Sequence, residues 1–173
     1  MKNKSLVAVF SIVALVMMFS LAQAQTAAPV TAGYELKDPE RGFVYVTPNS
    51  SWSLSANSYN VTLSHGTYYD AYISLRKGYT TYATPQEAYA KKKEYLKSSL
   101  PGAEILKDGE AMNVGTEPAM SMTYKDPAQQ KIMREIVFNH KGGSYELSFT
   151  VKQENFEAVK ADFGAILKGI QTL

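Results

Sequence analysis

Between Tyr145 and Val151 every odd position is apolar and every even position is polar: Tyr145-Glu146-Leu147-Ser148-Phe149-Thr150-Val151. A period of two over seven residues is what a strand with one buried face requires. A slip of one residue would carry Tyr145, Leu147, Phe149 and Val151 into water, so this register is strongly fixed. The segment commits the chain to a sheet with a covered face, and the remaining sequence must supply the neighbouring strands and the cover.

Neighbouring strands are readable on both sides. Gly42 to Thr47 is strand-like and ends at Pro48, which cannot donate a ladder hydrogen bond. Tyr59 to Ser64 alternates, and a turn at His65-Gly66-Thr67 leads into Tyr68 to Arg76, where Tyr69, Ala71, Ile73 and Leu75 fall on one face. Further on, Ile105-Leu106 and Met112-Asn113-Val114 flank Asp108-Gly109, a favoured tight-turn pair. Pro118 to Tyr124 alternates through Met120 and Met122 and is closed by Lys125-Asp126-Pro127. Ile132 to Phe138 is another strand, and Lys141-Gly142-Gly143 turns it back into the opening segment.

Two helices provide the cover. Thr84-Pro85-Gln86-Glu87 has a Thr cap, a proline at the first helical position and a Glu three residues after the Thr, which together make a capping box. The apolar stripe Ala88, Tyr89, Tyr95, Leu96 and Leu100 follows, and Pro101-Gly102 stops it. Lys91, Lys93, Glu94 and Lys97 make a solvated face, while Lys92 lies nearer the stripe and lays its stem along it. Three consecutive lysines are also compatible with an anionic lipid surface, a reading the neutral domain described below disfavours. From Asn155, the residues Phe156, Val159, Phe163, Ile166, Leu167 and Ile170 recur every three or four positions, with Glu157, Lys160, Asp162 and Lys168 pointing elsewhere. Strands, a helix, strands and a terminal helix, with the strands adjoining in hairpins, define an α+β class with a mainly antiparallel sheet.

The amino terminus sets the compartment. Lys2 and Lys4 precede an uncharged run from Leu6 to Leu21 that ends in Ala22-Gln23-Ala24, the pattern of a secretory signal peptide. From 6 to 21 is 16 residues, short of the roughly 20 that span a bilayer as a helix. Cleavage after Ala24 is therefore expected, with residues 1–24 as signal peptide, 25–32 as a flexible spacer of small residues, and 33–173 as a single domain. No cysteine is present, so the lipoprotein anchor is closed and disulfides contribute nothing. Export by the Sec route to a periplasmic or extracellular location follows, the domain being soluble with no stable membrane anchor after cleavage. The chain has 18 basic and 16 acidic residues, and removing Lys2 and Lys4 leaves 16 of each. A neutral domain gives no electrostatic signal for nucleic acid.

Catalytic and ligand motifs are sparse. The two histidines, His65 and His140, each adjoin a glycine-containing turn and read as exposed turn residues; without cysteine or a closely spaced carboxylate they make no metal set. Asp70 could orient His65 if the turn folds back. No serine stands in a Gly-x-Ser-x-Gly context, and Gly142-Gly143 lies between strands rather than before a helix, so neither a hydrolase elbow nor a phosphate loop is indicated. No catalytic, metal or cofactor-binding residue is assigned and no cofactor is expected. The compositional excess is tyrosine, 12 against 7 phenylalanines and a single tryptophan. Tyr68, Tyr72, Tyr79 and Tyr82 lie in or after one strand, and a ring with a polar tip is a good anchor for a protein, glycan or amphiphile. Tyrosines also suit half-buried strands, which is the simpler reading of these four.

Gly42-Phe43-Val44-Tyr45-Val46 with Pro48 and Trp52, the helix after Thr84-Pro85, the segment Asn113 to Ala119, and the hairpin at Gly142-Gly143 leading to Tyr145 and the Phe156 helix resemble the PsbP/DcrB-like superfamily over about residues 42–170. The resemblance implies an antiparallel sheet flanked by helices, an α/β/α sandwich, in a family mostly made of non-enzymatic assembly factors and binding modules. No photosystem-specific or Ran-binding motif is matched residue by residue, so the fold transfers and the partner does not. The expected role is an exported, non-catalytic binding or assembly module of the bacterial envelope, its partner an envelope protein or complex. A binder of a small amphiphile or lipid is the alternative, and an unidentified hydrolase comes third.

Overall fold

The computed structural model describes Gly33 and residues 35–173; the signal-peptide and spacer assignments lie outside the described residues. Ten strands are described: β1 (Glu35–Asp38), β2 (Phe43–Val46), β3 (Trp52–Ala56), β4 (Asn60–His65), β5 (Tyr72–Lys77), β6 (Glu104–Val114), β7 (Glu117–Asp126), β8 (Lys131–His140), β9 (Gly143–Lys152) and β10 (Gln171–Thr172). Helix α1 (Pro85–Ser99) joins β5 to β6, and α2 (Phe156–Gly169) follows β9 after a single 3-10 turn. Seven strands form one antiparallel sheet in the order β3-β4-β5-β9-β8-β7-β6, and β1-β2-β10 form a small second sheet. Two meanders, β3 to β5 and β6 to β9, are thus joined where β5 pairs with β9.

The register of β9 is the one its alternation demands. Leu147 stands opposite Leu75 and Ile136, and Phe149 opposite Ile73, on a face shared with Val61 and Leu63. Trp52 of β3 lies on the same face, and against it pack Val159, Ile166 and Ile170 from α2 and its C-cap, with Phe43 and Tyr45 from β2, in one cluster. Burying side chains of this size supplies about 1.5–3 kcal/mol each. Helix α1 lies on the opposite face, where Leu96, Met122 and Tyr124 make a smaller cluster edged by Tyr89, Leu100 and Met133. The order of layers is therefore α1, the seven-stranded sheet, then α2 with the small sheet, an α/β/α arrangement.

Turn chemistry explains the hairpins. Lys141 and Gly142 both take positive φ, 45° and 72°, and connect His140 to Gly143 in a two-residue loop whose twist suits the flanking strands. Gly115, at φ 58°, makes the corresponding loop between Val114 and Glu117.

Several expectations are corrected. Asp108-Gly109 does not close a hairpin: β6 runs unbroken from Glu104 to Val114, with register shifts between Ile105 and Glu110 and Gly109 at φ 66°. The left-handed freedom of an Asp-Gly pair serves a bulge as well as a turn. The fifth strand starts at Tyr72, because Tyr68 to Ala71 is closed as a turn by the Ala71 N–H on the Tyr68 carbonyl at 2.7 Å. Tyr69 is consequently 85% exposed and does not share the face of Ala71, Ile73 and Leu75. In α1, Thr84 Oγ1 accepts from the Glu87 N–H at 3.2 Å as expected, whereas Glu87 reaches back to the Ala83 N–H, one residue before the cap. Asp162, expected in solvent, accepts from the Trp52 indole N–H at 2.8 Å and ties α2 to β3. Strands β1 and β10 carried no periodic signal of their own and exist by pairing with β2.

Candidate functional site

The face of the sheet beneath α1 is where the sequence departs from a plain core. Spacing of four along α1 puts Ala88, Lys92 and Leu96 in one line, and Ala88 and Leu96 are buried. Lys92 therefore occupies the centre of the helix's buried stripe, its side chain only 13% exposed; the stem follows the stripe as expected, but the ammonium ends on the sheet and not in solvent. Tyr95, expected in the stripe, sits a residue off the line and is 65% exposed.

A burial of this kind requires compensation, and the sheet supplies it. Glu135 of β8 and Glu146 of β9 point from polar positions toward Lys92, whose Nζ is 3.5 Å from Glu135 Oε2 and 3.0 Å from Glu146 Oε2. Arg76, cross-strand from Glu146, donates to the same Oε2 through Nη2 at 2.5 Å and Nε at 3.0 Å. Ser148 Oγ donates to Glu135 Oε2 at 2.6 Å, and the Tyr124 hydroxyl to Oε1 at 3.5 Å. The result is a chain of alternating charge, Glu135, Lys92, Glu146, Arg76, in which each ion has a partner. Burial acts to raise the Glu146 carboxyl, and Lys92 together with Arg76 outweighs it, holding the group below the usual carboxylate range. The hydrogen bond to Glu146 raises Arg76 further, and burial with the Glu135 charge pushes the Tyr124 phenol up.

Beside this chain, between the first turns of α1 and the junction of β5 with β9, a cleft of about 300 Å³ opens. Arg76, Lys92 and Glu146 lie on its wall, with Lys91, Val137 and Tyr145. Its rim carries Tyr79, Tyr82 and Tyr95. The connection 78–84 that forms this rim is fixed at both ends. The Gly78 N–H donates to the Ser144 carbonyl at 2.8 Å, the Tyr82 N–H to Ser144 Oγ at 2.9 Å, and Asn139 Nδ2 to the Tyr82 carbonyl at 3.0 Å. Tyr79 projects from between these anchors with its side chain fully in solvent.

Of the four tyrosines singled out in the sequence, the structure brings two together here, Tyr79 and Tyr82. Tyr68 packs against the His65 ring at 4.9 Å, at the edge of the α2-side core. Tyr72 lies in β5 opposite Ser64 and Thr150, on the α1 side of the sheet but outside the cleft lining. Tyr95, Arg76, Lys92 and Glu146 are the residues sequence reasoning missed. The available signal was a lysine at the centre of an otherwise apolar four-residue spacing, paired with glutamates at polar positions of strands the helix had to cover.

The histidines are buried, not exposed turn residues. His65 Nδ1 accepts from the N–H groups of Thr67 and Tyr68 at 3.1 and 3.0 Å, holding the turn, and its ring meets Trp52 edge-on. Asp70 accepts from the Lys152 N–H at 2.5 Å and from Asn155 Nδ2 at 2.9 Å, so it braces the end of β9 instead of orienting His65. His140 Nδ1 is 2.8 Å from Glu117 Oε1, with its ring on Phe43. Among the described residues no group of three or more histidines and carboxylates is arranged to hold a metal ion, and no helix is long and apolar enough to cross a membrane.

The layers, strand order and flanking helices define an α+β protein of the PsbP-like fold. Comparison with solved structures bears this out. The chain matches the solution structure of cyanobacterial PsbP (CyanoP) from Synechocystis sp. PCC 6803 with a TM-score of 0.60 at 11% identity, over 89% of this chain and 99% of that one. It matches a crystal structure from Bacteroides thetaiotaomicron VPI-5482 with a TM-score of 0.55 at 11% identity, over 83% of this chain and 49% of the other. A mutant of the protein Mog1 matches with a TM-score of 0.52 at 9% identity, over 81% and 95%. No protein-family model matches the sequence, and no characterised protein matches it by sequence. At these identities the likeness is one of fold.

Proposed function

We propose that the chain is an exported, non-catalytic binding module of the cell envelope, consisting after cleavage at Ala24 of one domain over residues 33–173, and that it binds through the cleft beside α1. The observation that carries this reading is the cleft itself: aromatic side chains on a rim fixed at both ends, above a wall whose charges are already paired. An exposed aromatic carried on a backbone already fixed loses less freedom on binding, which makes Tyr79 and Tyr95 good anchors. His65 holds its own turn, Asp70 bonds Lys152 and Asn155, and His140 is paired through Nδ1 with Glu117. The expectation of an envelope protein or complex as partner stands with the export pattern of residues 1–24. The amphiphile alternative drew on the two amphipathic helices, and both direct their apolar residues onto the sheet, leaving only the cleft to support it.

The test is photo-crosslinking in the intact envelope, with a photoreactive phenylalanine replacing either Tyr79 or Tyr59. Both positions are exposed, and only the first borders the cleft. A discrete adduct from position 79 and none from position 59 is expected. Equal labelling at both positions, or turnover of a hydrolase substrate that depends on His65 or His140, counts against the reading.

A further inference from the structure

We infer that the ligand of this cleft is an uncharged saccharide chain, whose pyranose rings stack on Tyr79 and Tyr95 and whose hydroxyl edges meet the Arg76–Glu146 pair; the inference rests on the binding-module reading above. Charge is the first argument. Three cations at the cleft, Arg76, Lys91 and Lys92, are matched by three carboxylates, Glu146, Glu94 and Glu135, each within an ion pair. An anionic ligand would meet no unpaired cation there, and a cationic one no free carboxylate. A polyhydroxylated ring needs neither, because each hydroxyl both donates and accepts and can bond to paired ions without separating them.

Shape and surface agree. A cleft of about 300 Å³ sits at the low end of small-molecule sites and holds one or two rings. An acyl chain along Ala88 and Val137 would leave Arg76 and Glu146 beside it with no new hydrogen bond. Tyrosine rings present flat apolar faces with a polar tip, which suits the C–H face of a sugar. The sheet then continues the surface outward. Asn60, Arg76 and Glu146 stand in register across β4, β5 and β9, and the next row on the same face is Ser55, Thr62, Ser74 and Ser148. Four hydroxyl side chains in a line from the cleft to the β3 edge give a chain longer than two rings a polar track to lie on.

The experiment is a titration of the ¹⁵N-labelled chain, purified after export, with cellotetraose, chitotetraose and maltotetraose, each followed by amide shifts. Tetragalacturonate is the anionic counterpart and dodecanoate the amphiphile. Saturable shifts at Gly78 to Tyr82 and at Arg76 with at least one neutral tetrasaccharide are expected, with Tyr79→Ala weakening the affinity about five- to tenfold and Tyr59→Ala leaving it unchanged. Both tyrosines are exposed, so neither replacement threatens the fold; Tyr95→Ala provides a second cleft variant. Binding of tetragalacturonate or dodecanoate alone, silence with all five probes, or an affinity indifferent to Tyr79→Ala overturns the inference. If the position-79 crosslink persists in that case, the binding-module reading survives and the saccharide assignment alone fails; loss of both removes the reading as well.

Discussion

Lys92 shows how a single residue can set the character of a face. An apolar side chain at the centre of the α1 stripe would have given a plain helix-on-sheet contact. The lysine instead demands Glu135 and Glu146 beneath it, and Glu146 in turn holds Arg76 at the cleft wall. Removing the lysine leaves Glu135, 6% exposed, with hydroxyl donors but no cation, and Glu146 with Arg76 alone. Lys92→Met is therefore expected to destabilise the domain by about 3 kcal/mol in chemical denaturation, and adding Glu135→Gln to recover part of that loss. The sign of the pH dependence follows from Glu146. Its folded-state value is depressed, so its stabilisation is complete above the ordinary carboxylate range and is lost as pH falls through the depressed value. Glu146→Gln should thus lower the denaturation midpoint at neutral pH, and the gap to wild type should close as the solution is acidified through that range. A gap of constant size across the titration would contradict the assignment.

At the scale of elements, local chemistry that was plain in the sequence did what it promised. The Thr84 cap holds α1, and Thr84→Ala should cost about 1 kcal/mol in thermal or chemical unfolding. The turn glycine at 115 has a second duty: a β-carbon there would lie 3.0 Å from the Thr172 backbone nitrogen. Gly115→Ala should cost about 1–2 kcal/mol from the left-handed backbone alone and loosen β10, seen as faster amide exchange at Leu173, whose N–H bonds the Gly42 carbonyl. The seven-residue alternation at Tyr145 to Val151 specified β9 down to its register, because one face of that strand is wholly committed to the core. Asp108-Gly109 misled because the same pair suits a hairpin and a bulge, and the choice between them belongs to the Tyr89 hydroxyl, which accepts from the Gly109 N–H at 2.7 Å across from α1. No local pattern encodes that contact. Strands β1 and β10 were equally invisible, their ladder bonds coming from β2 between them.

The whole molecule explains why the cleft lies where it does. Two meanders meet at β5 and β9, the connection 78–84 must climb from that junction to the start of α1, and the space beneath the climb is the cleft. Part of its lining is named in the sequence: Tyr79 and Tyr82 are among the tyrosines offered as a binding surface, although half-buried strand tyrosines are the simpler reading. The other part, Arg76 with Glu146, depends on a pairing between residues 70 positions apart in sequence, which no spacing rule joins. Tyr68 and Tyr72 lie apart from Tyr79 and Tyr82, since the turn at Tyr68 to Ala71 sends one ring to each side of the sheet. The account stands on the cleft being the binding surface. Hydrogen–deuterium exchange of the exported chain, alone and in contact with envelope material from its own cells, tests that most directly. Slower exchange confined to residues 76–95, with the β3–β4 hairpin at 57–60 unchanged, is the predicted result; unchanged exchange at the cleft, or protection centred on the hairpin, would contradict it.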